Sequence, residues 1–191
     1  MVIVYDYPEF FCDFHFNFVN SLPDHCIQLR NIVLSAFPNG IQPPNPFTRN
    51  LKVDLLQEVK FCPRILSNYD NYLALMNLKE DLENYFRTKN IKLINVICDK
   101  MMQSEEIING RRKINSNVIN AVVLFIANQA FQKQTFEHSH KESMELFKQM
   151  IHKLNDETRW VFLNSIVNEL RYPNNHTYYF SCIFLYLFVE S

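Results

Sequence analysis

Cysteine and histidine are the residues with which this chain could do nucleophilic or metal chemistry, and their spacing argues against both. A Cys-His nucleophile needs the thiol within hydrogen-bond reach of the base. The histidine nearest in sequence to Cys182 is His176, six residues earlier; six residues turn a helix by about 240°, so the two side chains point to different sides. The plain reading is a core thiol and a joint histidine. Cys12 and His15 share a helical face at i, i+3, and His138-x-His140 could chelate. Neither supplies the three or four clustered ligands that zinc requires. Glu105, Glu106, Asp156 and Glu157 read as carboxylates at helix starts, where the backbone dipole already explains them. The two glycines, Gly40 and Gly110, are seventy positions apart, so neither G-x-G-x-x-G nor a P-loop can be written. No catalytic residue, metal or cofactor is expected.

The one basic run, Arg111-Arg112-Lys113, could touch RNA phosphates, and an RNA-binding helical solenoid is the alternative reading it supports. It stands in a polar joint, where solvated charge is ordinary. Lys plus Arg total 19 against 20 Asp plus Glu, so no global field draws the chain to nucleic acid or an anionic membrane. Direct contact with nucleic acid is not expected. Five cysteines, Cys12, Cys26, Cys62, Cys98 and Cys182, are an odd set without C-x-x-C and fit buried free thiols in a reducing compartment; the sequon at Asn175 is then expected to be unused. The opening MVIVYDYPEF has no basic n-region, and Asp6 interrupts its apolar run, so no signal peptide is read. Tyr178 to Val189 is apolar for twelve residues, short of the ~20 that span a bilayer, and reads as a core helix.

At 191 residues the chain suits a single domain, and 48% hydrophobic content with 17 Phe and 9 Tyr implies a voluminous core or a large contact surface. Helical periodicity dominates. Residues 9 to 20, EFFCDFHFNFVN, read as helix in preference to strand. Ser21 to Asp24 reads as a capping box with Pro23 in the first turn of a helix that carries Cys26, Leu29, Ile32, Val33 and Ala36 inward and ends near Pro38. Four prolines between Pro38 and Pro46 make an extended loop, followed by a short helix from Val53 to Val59 and another extended crossing at Pro63. From Asn71, Leu75, Leu78, Leu82 and Tyr85 fall at offsets 0, 3, 7 and 10, with Glu83 and Arg87 paired outside. A helix over Ile91 to Met102, the polar interval SEEIINGRRK and a helix over Ser116 to Phe131, apolar nearly all round, come next. Ser139 and Glu142 read as a capping box for a helix to Leu154 that buries Met144, Phe147, Ile151 and Leu154.

Finally, Trp160, Leu163, Val167 and Leu170 repeat the stripe in a helix stopped by Pro173, and Asn174 caps a dense apolar helix. The pair is read as an αα-hairpin joined by RYPNNHT. One stripe recurring in helices of three to four turns predicts an all-α fold: a HEAT-like α-solenoid of antiparallel helix pairs, about eight helices, with an irregular bundle as the alternative.

Two joints put specific polar groups beside aromatics at helix ends: FTRNLKVDLL, with Arg49, Asn50, Lys52 and Asp54, and RYPNNHTYYF, with Arg171, Asn174, Asn175 and His176. They either cap helices and lock packing or present Tyr and Arg as interface anchors. The candidate partner-binding set is Phe47, Arg49, Asn50, Lys52, Asp54, Arg64, Arg171, Tyr172, Asn174, His176 and Tyr178.

Four stretches, YDYPEFFCDFHF, CIQLRNIVLSAFPNGIQPPNPFT, NLKVDLLQEVKFCPRIL and FLNSIVNELRYPNNHTYYFSCIFLYLF, resemble in the same order the C-terminal region of the large scaffold subunit (Not-one) of the Ccr-Not mRNA deadenylase complex. The resemblance covers nearly the whole chain, and its motifs are non-repetitive and rich in Pro, Asn, His and Tyr. It implies a HEAT-like domain without enzymatic activity, docking the Not-box subunits of the same complex and, in animals, short peptides from translational repressors; other regulatory proteins are further partners. It implies action in mRNA deadenylation and decay, translational repression and transcription regulation by recruitment, in cytoplasm and nucleus, with no cofactor and no membrane. The family domain extends beyond Ser191, so the chain is expected to be a C-terminally truncated part of a larger domain. Three departures stand out: the joint Gln132 to His138 is shorter than in animal relatives, Leu73 to Lys79 aligns poorly, and Phe61-Cys62 replaces small residues before Pro63.

Overall fold

The computed structural model describes residues 6–23, 25–34, 69–108, 110–132 and 136–171, with backbone alone at 8–9, 12–13, 31, 34, 130–132, 136–141 and 170–171. These residues form eight helices and one two-stranded hairpin: α1 (Pro8–Ser21), α2 (Ile27–Leu34), α3 (Asp70–Leu75), α4 (Leu78–Thr88), α5 (Ile91–Gln103), β1 (Glu105–Ile108), β2 (Arg111–Ile114), α6 (Ser116–Gln132), α7 (Phe136–Lys153) and α8 (Asp156–Arg171). They fall into two compact units, one holding residues 6–34 and 168–171, the other residues 69–167. The short helix expected at Val53 to Val59, the proline-rich loop and the helix after Asn174 lie outside the described residues.

In the first unit, proline opens α1, where its missing N–H costs nothing. The helical reading of the aromatic run is therefore the right one. Phe11 and Val33 are buried, with Phe18, Val19 and Leu22 packed on them. Phe14 leaves helical geometry at φ −108°, ψ 17°, and kinks α1 there. The capping box at Ser21 does not form. α1 runs on through Ser21, whose hydroxyl donates back to the Asn17 carbonyl at 2.6 Å, and α2 begins only at Ile27. Val33 points inward as expected, whereas Leu29 and Ile32 are exposed. Arg30 Nη2 donates to the Leu22 carbonyl at 3.4 Å and ties α2 to the end of α1.

The second unit is built from helix pairs. α4 packs against α5 and α6 against α7, while α3 packs on α6. The buried sets are Leu78, Leu82 and Tyr85 on α4; Ile94, Ile97, Cys98 and Met101 on α5; and Val118, Ile119 and Ala121 to Ala127 on α6. α6 is thus apolar on nearly every side, as its sequence predicts. Successive pairs are in register. Lys89, just before α5, pairs with Glu142 of α7; Asn95 accepts a hydrogen bond from Lys153; and the Asn155 N–H approaches Met102 Sδ at 3.4 Å. Contacts that ascend together in both helices make α5 and α7 parallel neighbours in consecutive antiparallel pairs, the stacking of an α-solenoid. Phe86 meets Phe125 and Phe147 meets Phe162, with ring centroids 6.3 and 5.5 Å apart.

Asparagine starts three of these helices. Asn90, Asn115 and Asn155 each accept a backbone N–H of the following first turn, at 3.0 to 3.2 Å for Asn90 and Asn115 and 2.9 Å for Asn155. The box expected at Ser139 is absent for a related reason: α7 starts three residues earlier, at Phe136, and the Glu142 carboxylate goes to Lys89.

Three stripes shift. Asn77 adopts a left-handed conformation, φ 50°, which divides the helix expected from Asn71 into α3 and α4. The break turns Leu75 outward, 66% exposed, and Leu73 takes the buried position. Arg87 donates to Asn84 Oδ1 at 2.6 Å, and no Glu83–Arg87 pair is present among the described residues. On α7 the buried face is Ser143, Leu146, Phe147, Met150 and Leu154, with Met144 and Ile151 half-buried. On α8 it is Thr158, Phe162, Ser165, Ile166 and Glu169; Trp160 and Val167 are exposed.

The interval read as a polar joint is the hairpin. Glu105 pairs with Ile114 and Ile108 with Arg111, which leaves two residues for the turn, and Gly110 supplies φ +75°. Glu105 and Glu106 therefore sit on a strand and not at a helix start. Glu106 accepts the Ser116 backbone N–H at the start of α6, and its partial burial raises its carboxyl above the ordinary range.

Candidate partner-binding surfaces

Of the residues singled out in the sequence, Phe47, Arg49, Asn50, Lys52, Asp54, Arg64, Tyr172, Asn174, His176 and Tyr178 lie outside the described residues, and Arg171 is the last residue of α8, described by its backbone. What can be built is the helix that delivers the second joint. Asn155 caps its start, Asp156 and Glu157 complement its dipole, and Arg159 bonds the Ile151 and Leu154 carbonyls at the end of α7. Phe162 and Ile166 then hold one face in the core. Residues 160, 164, 167 and 171 succeed one another at offsets 0, 4, 7 and 11 on the opposite face. Trp160 is 66% exposed there, Val167 is exposed, and Asn164 Nδ2 bonds the Trp160 carbonyl at 2.7 Å. Of the stripe read as core, Trp160 and Val167 face outward and Leu163 is half-buried.

A second apolar surface was missed in the sequence. At the start of α1, beside the buried Phe11 and His15, Tyr7, Phe10 and Phe14 are 64, 51 and 43% exposed. The Phe10 and Phe14 rings lie 4.8 Å apart. The signal was present: aromatics on two faces of one helix exceed what one core contact can bury.

His15 is buried edge-on between Phe11 and Phe16. Cys98 is buried in α5, and burial pushes its thiol up to about 12, the opposite of an activated nucleophile. Among the described residues no three His, Cys, Asp or Glu side chains gather as a metal site, and no helix is long and apolar enough to cross a membrane. Cys182 and His176 fall outside the described residues. Of the basic run, Arg112 lies 3.6 Å from Glu105 across the hairpin, and Lys113 is half-buried.

Comparison with known proteins decides to which family this stacked-pair solenoid belongs. The family model for the CCR4-Not complex component Not1 matches residues 1–191. The chain belongs to the Not1 family. Among Not1 relatives, the CCR4-NOT transcription complex subunit let-711 of Caenorhabditis elegans is 34% identical over 200 positions, covering 100% of this chain and 8% of that protein. The general negative regulator of transcription subunit 1 of Schizosaccharomyces pombe is 30% identical, covering 100% and 9%. A solved Not1 C-terminal domain in complex with Not4 aligns with TM-score 0.71 and 27% identity over 96% of this chain and 39% of that one. The NOT1 superfamily homology domain from Chaetomium thermophilum gives 0.72 and 28% over 98% and 37%. The chain thus spans under a tenth of the curated Not1 relatives and about two fifths of the solved domains. The relatives are named as complex subunits and regulators and not as enzymes.

Proposed function

We propose that this chain is a non-catalytic scaffold module of a Ccr-Not complex that docks Not-box partner subunits and, through them, supports mRNA deadenylation, mRNA decay and translational repression. The observation that carries the reading is the Not1 family match along the whole chain, joined to a solved relative that is itself a Not1 C-terminal domain held by Not4. On this reading the chain is one part of a larger helical domain and works in both cytoplasm and nucleus. The joints at Arg49 to Asp54 and Arg171 to Tyr178, with Phe47 and Arg64, are the expected docking positions. The exposed Trp160 and Val167 on α8 support the second of these, because the same helix runs on to Arg171.

Co-purification tests it. The chain, expressed with a Not-box subunit from the same source, is expected to retain that subunit through size exclusion, and Arg171→Glu with His176→Glu is expected to weaken retention by at least tenfold. A folded chain that retains neither Not4-type nor Not-box partners refutes the proposal.

A further inference from the structure

The break between α3 and α4 is held from outside. Asn77 sits there at φ 50°, ψ 38°, and its own side chain makes no capping bond, although left-handed backbone costs free energy for any residue with a Cβ. The clamp comes from α5. Lys100 Nζ donates to the Asn77 carbonyl at 3.1 Å and to Asp81 Oδ2 at 2.5 Å, and the side chains of this ion pair are only 29 and 19% exposed. Across the break, Lys79 Nζ meets Asp70 Oδ2 at 3.1 Å. Residues nine apart in one straight helix stand roughly 13.5 Å apart along its axis, so this contact belongs to the broken form alone. The sequence carries a second packing. At about 100° per residue, a helix running through residue 77 without a break would bring Leu75 within about 60° of Leu78, beside Leu82 and Tyr85, and would turn Leu73 about 140° away from it. In the structure the two leucines are the other way round: Leu73 is fully buried and Leu75 is 66% exposed.

We propose that the α3–α4 junction is a two-state element and that the charge of Lys100 selects its broken state. With the ammonium between the Asn77 carbonyl and the Asp81 carboxylate, Leu73 is the core residue and Leu75 the surface one. Without that charge the junction closes into one helix, the Lys79–Asp70 contact parts and the two leucines exchange places, so the apolar residue that α3 shows to solvent changes. Neither state depends on what the chain docks, and the proposal stands apart from the proposed function.

The test uses nuclear magnetic resonance and amide hydrogen exchange on the 191-residue chain. A left-handed residue gives a strong Overhauser cross-peak between its own amide and α protons, and a helical residue a weak one. The parent chain and Lys100→Arg, which keeps the charge, are expected to show the strong peak at Asn77. Lys100→Met, neutral and without a donor, is expected to lose it and to slow amide exchange at residues 75 to 78 at least tenfold, as those groups gain helical bonds. The direction discriminates, since a merely destabilised chain exchanges faster. Leu75→Asp, tolerated at an exposed position in the parent, is expected to restore the strong peak to Lys100→Met. Asp81→Asn removes the anion from the same clamp and is read the same way where Lys100→Met loses its circular dichroism. A left-handed Asn77 in both neutralised variants, or exchange that accelerates there, overturns the proposal.

Discussion

Trp160 and Phe162 stand two residues apart on α8, and their substitution separates a core face from a contact face. Phe162 is fully buried with its ring 5.5 Å from that of Phe147. Phe162→Ala removes a buried aromatic side chain and leaves a cavity, at a cost of about 3 to 5 kcal/mol. Trp160 is the larger residue, and burial would make its loss cost as much or more. At 66% exposure it forfeits little contact, and Trp160→Ala should stay within about 0.5 to 1 kcal/mol. At roughly 2 to 4 °C per kcal/mol for a chain of this size, the first variant shifts the melting midpoint down by about 6 to 20 °C, and the second barely moves it. The assay is urea unfolding followed by far-ultraviolet circular dichroism, with a changed midpoint at unchanged slope as the readout. Tryptophan emission cannot serve, because Trp160 is the single tryptophan. If Trp160→Ala costs as much as Phe162→Ala, the outward face of α8 is wrongly assigned, and with it the support it lends to the Arg171 joint.

Two further outcomes follow from local chemistry. Burial lifts the Cys98 thiol from 9.0 to about 12, so above pH 9 the unfolded chain loses this proton while the folded chain keeps it. The stability it contributes is complete below pH 9 and declines up to about pH 12, by on the order of 1.4 kcal/mol per pH unit; Cys98→Ala should flatten that decline relative to the parent in alkaline urea titrations, and parallel curves would refute the assignment. At Asn77, φ 50° suits asparagine or glycine but not a Cβ-bearing residue without a short polar side chain. Asn77→Ala should cost about 1 to 2 kcal/mol and Asn77→Gly well under that, a difference that vanishes if α3 and α4 are continuous in solution.

The sequence made the fold class legible because helical periodicity survives even when its phase is misread. α6 was recognised from density alone, since a helix buried on nearly all sides has no phase to mistake. On α4, the run Leu78, Leu82 and Tyr85 was correct, and Leu75 failed because one left-handed asparagine breaks the helical count. On α8 the stripe had the right period, but Trp160 and Val167 lie outside the core: Thr158 and Ser165 turn inward on the face of Phe162, and small hydroxyl residues allow close helix approach without registering as hydrophobic. Caps were misplaced for a similar reason. Serine boxes at Ser21 and Ser139 were favoured, whereas Asn90, Asn115 and Asn155 start the helices. The hairpin was present as Asn109-Gly110 between two isoleucines and a basic run, a two-residue turn signal outweighed by the helical surroundings. The family was legible from non-repetitive joint motifs, which are the segments that periodicity does not constrain.

The hairpin between α5 and α6 has a practical consequence. At its turn nothing lies within 4 Å of where a Cβ on Gly110 would stand, while its base is fastened by Glu106 to the first turn of α6 and by the Asn115 N–H to the Ser104 carbonyl at 2.7 Å. Foreign sequence spliced in at Gly110 lengthens a turn without levering apart either helix pair, since both strand ends stay pinned. That makes the hairpin tip the insertion point for an affinity tag or fluorophore.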